Sequence, residues 1–139
     1  MRRSRSLIVT PILIVMLLLT ACGGAATPTP TVIPAGAGES GLQISVQFDP
    51  DPAVTGTSAL IVTITGADGS PAAGLAVAAR GDMTHAGMAP QLGEGVEGEP
   101  GVYTIPWEWT MAGDWLLDVT ARAADGSETT QTLDVAVEG

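Results

Sequence analysis

The sequence predicts an all-β domain, an immunoglobulin-like antiparallel β-sandwich of about seven strands, on three observations. Apolar residues recur with a period of two through most of the chain after residue 41, turn-forming clusters separate these runs, and no stretch carries the 3.6-residue period of an amphipathic helix. In the first run Leu42, Ile44, Val46 and Phe48 alternate with Gln43, Ser45 and Gln47, which buries one face of a strand and wets the other. Leu60, Val62 and Ile64 share a face of the second strand, and Ala67-Asp68-Gly69-Ser70-Pro71 follows as a turn. Leu75, Val77 and Ala79 give a third strand ending at Arg80. From Gly81 to Gly101 the alternation stops and glycine and proline recur, so this stretch reads as a long loop with one short edge strand. Tyr103, Ile105, Trp107 and Trp109 resume the pattern; Trp115, Leu117 and Val119 continue it; and after the turn Ala124-Asp125-Gly126-Ser127 the last strand carries Leu133, Val135 and Val137.

The domain is preceded by two segments of different character. Arg2, Arg3 and Arg5 form a basic start, and Leu7 to Leu19 is an uncharged apolar run of thirteen residues. That is too short for the roughly 20 residues that cross a bilayer and suits an export signal. The run ends in Leu19-Thr20-Ala21-Cys22-Gly23, which resembles the lipobox of bacterial lipoproteins, whose cysteine is lipidated and becomes the mature first residue. Residues 1–21 are therefore expected to be a lipoprotein signal peptide, with Cys22 holding the protein to the outside of the cell membrane. Residues 22–40, rich in Gly, Pro, Ala and Thr, form a flexible linker. As a coil the eighteen residues after Cys22 span roughly 24 Å, and as extended polyproline about 55 Å. The sandwich domain occupies 41–139. Cys22 is the only cysteine, so no disulfide is available and the fold must rest on its core.

Charge narrows the range of partners. With the leader removed, Arg80 and Arg122 stand alone against 15 acidic residues, 2 minus 15 giving about −13, and the chain has no lysine. Such a surface repels phosphate backbones, which excludes nucleic acid, and it keeps the domain off anionic headgroups while the lipid anchor supplies the membrane contact.

Soft metal-ligand atoms are scarce and crowded. Beyond the leader there are three methionines and one histidine; Met83, His85 and Met88 fall within six residues, and the fourth, Met111, lies in Trp109-Thr110-Met111-Ala112-Gly113-Asp114-Trp115. Thioether sulfur and imidazole nitrogen prefer soft cations, so such a set suits copper(I), whereas zinc takes thiolates or several imidazoles. Gly81 and Gly87 allow the loop to turn these side chains inward together, and hairpin ends that meet at one pole would bring Met111 to them. The competing reading is that the methionines fill a gap under the loop, Met111 above all, because it sits beside strand positions of core type.

The short motifs, taken in order, carry a family resemblance. Asp68-Gly69-Ser70-Pro71, Gly74-Leu75-Ala76-Val77, Met83-Thr84-His85-Ala86-Gly87-Met88, Pro100-Gly101-Val102-Tyr103 and Met111-Ala112-Gly113-Asp114-Trp115 together resemble the YtkA-like domain, related to FixH-type proteins, over about Leu42 to Val137. The resemblance implies an exported or membrane-tethered sandwich associated with copper handling or with assembly of copper-containing respiratory oxidases. It implies a copper-accepting or copper-donating protein as partner and the Met/His loop as the place for the ion.

Catalysis finds no support in the sequence, so no enzyme activity is expected: the single histidine has no serine near it in sequence, and the carboxylates are spread as a solvated face. Gly93-Glu94-Gly95-Val96-Glu97-Gly98 carries acids where a phosphate cradle would avoid them. The alternative to copper handling is a non-catalytic surface interaction module without metal. One form of it would use Trp107 and Trp109, on one strand face, as an aromatic platform for sugar rings, against which stands their use as core volume in a domain with only five aromatics.

Overall fold

The computed structural model describes residues 41–85 and 87–139. The expected signal peptide (1–21), Cys22 and the expected linker lie outside the described residues, as does Ala86. Eight strands follow in order: β1 (Gln43–Asp49), β2 (Gly56–Thr65), β3 (Ala76–Met83), β4 (Gln91–Glu94), β5 (Val96–Glu97), β6 (Val102–Trp109), β7 (Gly113–Arg122) and β8 (Glu128–Val137). They form two four-stranded sheets, β1-β2-β6-β5 and β4-β3-β7-β8, with every strand pairing antiparallel. The immunoglobulin sandwich has the same division, with first, second, fifth and fourth strands opposed to third, sixth and seventh.

Each of the six longer strands buries alternate residues as the period of two requires. Ile44, Val46 and Phe48 of β1, Leu60, Val62 and Ile64 of β2, and Tyr103, Ile105, Trp107 and Trp109 of β6 face Val77 and Ala79 of β3, Trp115, Leu117, Val119 and Ala121 of β7, and Leu133, Val135 and Val137 of β8 in one core. Four of the five aromatic rings gather at one end of it. Trp109 meets Phe48, Trp107 and Trp115 edge to face, with centroids 6.1, 5.6 and 5.4 Å away. All three tryptophans are buried, so the sugar-binding platform is overturned: the rings serve as core volume. The indole N–H groups of Trp107 and Trp109 are buried without an acceptor among the described residues, at a cost of about 1–3 kcal/mol each.

The largest departure from the sequence expectation lies between Gly81 and Gly101. Instead of ending at Arg80, β3 runs on to Met83, and the supposed long loop contains β4 and β5, leaving an irregular connection of only 84–90. Glycine hides the alternation here. Gly81 and Gly93 stand opposite Trp107; a Cβ on Gly81 would lie 2.7 Å from the ring's Cζ2, and one on Gly93 would lie 2.6 Å from Ile105 and 3.1 Å from Trp107 Cε3. Two positions facing the core are thus filled by a ring from the opposite sheet and carry no side chain of their own.

At the pole opposite the Met/His loop, a carboxylate fastens two connections, β2–β3 and β5–β6. Glu97 Oε1 accepts from the Gly101 N–H at 3.1 Å and Oε2 from the Gly74 N–H at 3.0 Å. The Tyr103 hydroxyl accepts from the Leu75 N–H at 3.1 Å, and its own hydrogen is within reach of the Ala72 carbonyl (3.0 Å) and Glu97 Oε1 (3.2 Å). Gly101 has a φ of 76°, and a Cβ there would come within 2.8 Å of the Ile64 carbonyl oxygen, so the turn admits no other residue without strain. Burial is the main reason the Tyr103 phenol lies above its ordinary range.

Hydrogen bonds from Gly101 and then Gly74 hold the Glu97 carboxyl below its ordinary value. A carboxyl depressed in this way binds fewer protons when folded than when unfolded. Its contribution to stability is complete above the ordinary carboxylate value and is lost as the pH falls through the folded one. Urea midpoints should therefore drop between about pH 6 and about pH 3, and Glu97→Gln should flatten part of that slope while lowering the midpoint at neutral pH. An unchanged slope in the variant would show that Glu97 does not fasten this pole.

Candidate functional site

The candidate ligands belong to the pole where β3 ends and β7 begins. Met83, the last residue of β3, pairs in register with Trp115 of β7 and is buried, 9% exposed, as part of the core. Its terminal methyl lies against Gly113, at 3.2 Å from where a Cβ would stand. Beyond Met83 the chain leaves the sheet but stays tied to it: the Thr84 N–H and hydroxyl both donate to the Asp114 carbonyl, at 3.1 and 3.2 Å. His85, Gly87 with a φ of 111°, and Met88 follow in the 84–90 connection. His85 is exposed and Met88 is 38% exposed.

Met111 sits in the turn between β6 and β7, three residues before Asp114, to which Thr84 is tied. Its carbonyl accepts from the Trp115 indole N–H at 3.1 Å, which fixes its backbone, while the side chain is 44% exposed. The Thr84 to Asp114 bonds thus join the root of the loop bearing His85 and Met88 to the root of the turn bearing Met111. The four residues fall into two groups: Met83 is packed beneath, while His85, Met88 and Met111 reach solvent on two adjoining connections. The gap-filling reading describes Met83 and does not describe Met88 or Met111, the reverse of the expectation for Met111.

The surroundings are acidic. Asp82 is engaged with Arg80 at 2.7 Å, and that hydrogen bond holds its carboxyl below the ordinary value. Among the described residues no three of His, Cys, Asp and Glu converge in a way that could hold a metal ion, so any site at this pole would have to draw on sulfur. The Thr84 to Asp114 tie could not be found by reading residues, because its acceptor is a backbone carbonyl thirty residues away. Glu97 was equally hidden among the acids assigned to a solvated face, although Pro100-Gly101-Val102-Tyr103 beside it marked the place.

No curated protein matches the chain in sequence. The sequence model of the YtkA-like family matches residues 36–120, 85 of the chain's 139 residues, from the end of the linker to within β7. The match takes in the Gly74 and Tyr103 clamp, the Met/His loop and the Met111 turn, and on that extent of sequence this chain belongs to the YtkA-like family.

Proposed function

We propose that this YtkA-like protein is an extracytoplasmic lipoprotein, anchored to the membrane through acyl chains on Cys22, whose sandwich domain binds copper(I) and passes it to or from another protein. Copper homeostasis and respiratory oxidase assembly are the settings in which such a carrier serves. Two acyl chains hold a protein stably where one does not, and the linker would keep the domain clear of the lipid. The carrying observation is that His85 and two thioethers, Met88 and Met111, reach solvent on two connections joined by the Thr84 to Asp114 bonds. Large apolar side chains gain nothing by such exposure, whereas a soft cation gains ligands from it. Met83 would close the set from below after a rotamer change, Met being the most adaptable of core side chains. His85 adds a pH handle, since protonated imidazole cannot ligate. The domain acts as a binder, without catalysis.

A titration with copper(I) under a competing chelator should show about one equivalent bound. The variant His85→Ala with Met88→Leu and Met111→Leu should lose it while keeping its near-ultraviolet circular dichroism, because these side chains lie outside the core. Met83→Leu conserves volume and should keep the fold. Unchanged copper binding in the triple variant would overturn the reading. The second reading, a metal-free interaction module, is favoured by Leu92 and Leu116, which are 67% and 39% exposed on the outer face of the β4-β3-β7-β8 sheet.

A further inference from the structure

That outer face has an organisation of its own. In β7 the side chains of Asp114, Leu116, Asp118, Thr120 and Arg122 point outward, opposite to the buried set of Trp115, Leu117, Val119 and Ala121. Register places Asp82 of β3 on one side of Leu116 and Asp134 of β8 on the other, while Asp114 and Asp118 flank it two residues away along β7. A half-exposed leucine therefore sits at the centre of four aspartates. Beyond them one row of the face, Ala78, Thr120 and Thr130, is small, and the next row carries Arg122 and Glu128.

The chain's own cations do not balance this charge. Arg80 is engaged with Asp82 and also feels the charge of Asp118, its partner in register, and Arg122 is engaged with Glu128; Asp114 and Asp134 form no ion pair with a guanidinium among the described residues, so one arginine stands against four aspartates. A second copy of this protein brings no lysine and the same two engaged arginines, so it cannot supply the missing charge. An anionic lipid or nucleic acid would be repelled. An apolar centre with a charged rim is the form of an interface hot spot, in which the centre contributes binding energy and the rim chooses the partner.

We infer that the outer face of the β4-β3-β7-β8 sheet docks a lysine- or arginine-rich extended segment of another protein, one long basic side chain laying its methylenes on Leu116 and its cation among Asp82, Asp114, Asp118 and Asp134. Long basic side chains suit this geometry because their stems are apolar and their heads stay in water. The inference does not depend on copper, and the test below is run without it.

Full-length protein purified from membranes in mild detergent is titrated into fluorescent decalysine, and anisotropy is read at low and at physiological salt. Leu116→Ser should weaken binding about fivefold, and Asp118→Asn with Asp134→Asn about tenfold. The pair Glu99→Gln with Glu108→Gln, which removes the same charge from the β5–β6 turn and from the other sheet, should weaken it less than about twofold. Leu116 and the two aspartates are on the surface, so circular dichroism should be unchanged throughout. Absence of binding, equal weakening by both charge pairs, or wild-type binding by Leu116→Ser would each overturn the inference, the second by revealing diffuse attraction to an acidic protein.

Discussion

Replacing Trp109 by alanine is expected to cost about 3–5 kcal/mol of folding stability, a large fraction of the roughly 5–15 kcal/mol available to a domain. Trp109 is fully buried where both sheets meet, and its ring is in edge-to-face contact with three others, Phe48, Trp107 and Trp115. Such pairs add about 0.5–1.5 kcal/mol each beyond area burial. With no disulfide to limit the unfolded chain, the core alone must absorb the loss. For a urea m-value of about 1–2 kcal/mol/M, the midpoint should fall by at least about 1.5 M. Trp109→Phe should fall by less, because a ring remains and the unpartnered indole N–H is removed. A midpoint for the alanine variant within about 0.5 M of wild type would contradict the assignment of the ring cluster as the centre of stability.

Gly81→Ala is the second substitution with a large expected effect, and two opposing terms decide its sign. Alanine restricts the unfolded chain and stabilises by about 0.4–1 kcal/mol where the native conformation accepts it. Here the added carbon would lie 2.7 Å from Trp107 Cζ2 and 3.4 Å from Trp115 Cε3. The Trp107 ring is buried and packed edge to face on Trp109, with centroids 5.6 Å apart, so it can retreat only by disturbing that pair. Overpacking of this kind costs about 1–3 kcal/mol and should win. In a Trp107→Phe background the outer ring atoms are gone, so the penalty for alanine at Gly81 should shrink, with a coupling of about 0.5–3 kcal/mol in the double-mutant cycle. Strict additivity of the two substitutions would mean that the glycine is there for some reason other than the ring.

The same contact explains how far the fold could be read from the sequence. Six of the eight strands announce themselves by alternation, since the sandwich has one face of each strand in the core and the other in water. The end of β3, together with β4 and β5, could not be recognised in that way. At Gly81 and Gly93 the inward position is occupied by a ring belonging to another strand, so the one-dimensional pattern shows a gap where the structure has none. The loop placement of Met83 has a connected cause: with the alternation hidden at Gly81, the last inward residue of β3 reads as part of the connection, whereas it lies in the core.

The candidate site was legible in composition and opaque in depth. Scarcity of sulfur and imidazole drew attention to Met83, His85, Met88 and Met111, and the topology carries their segments to one pole. Which of the four reach solvent depends on how two connections leave the sheet, and that is decided by Thr84 bonding to a backbone carbonyl thirty residues away. The ring of aspartates around Leu116 is likewise assembled by register, from three strands whose members are separated by more than ten residues of sequence.

One detail of the closing strand bears on how any metal measurement should be prepared. Val54 pairs in parallel with Glu138, beyond the end of β8, and Gly139 lies against Ala112, its Cβ position 3.3 Å from the alanine methyl. Residues appended after Gly139 would therefore emerge beside Met111. A polyhistidine purification handle fused there would deliver a cluster of foreign imidazoles to the pole under test and could manufacture metal affinity by itself. A streptavidin-binding peptide, or a handle cleaved before titration, keeps the ligand inventory to the native residues.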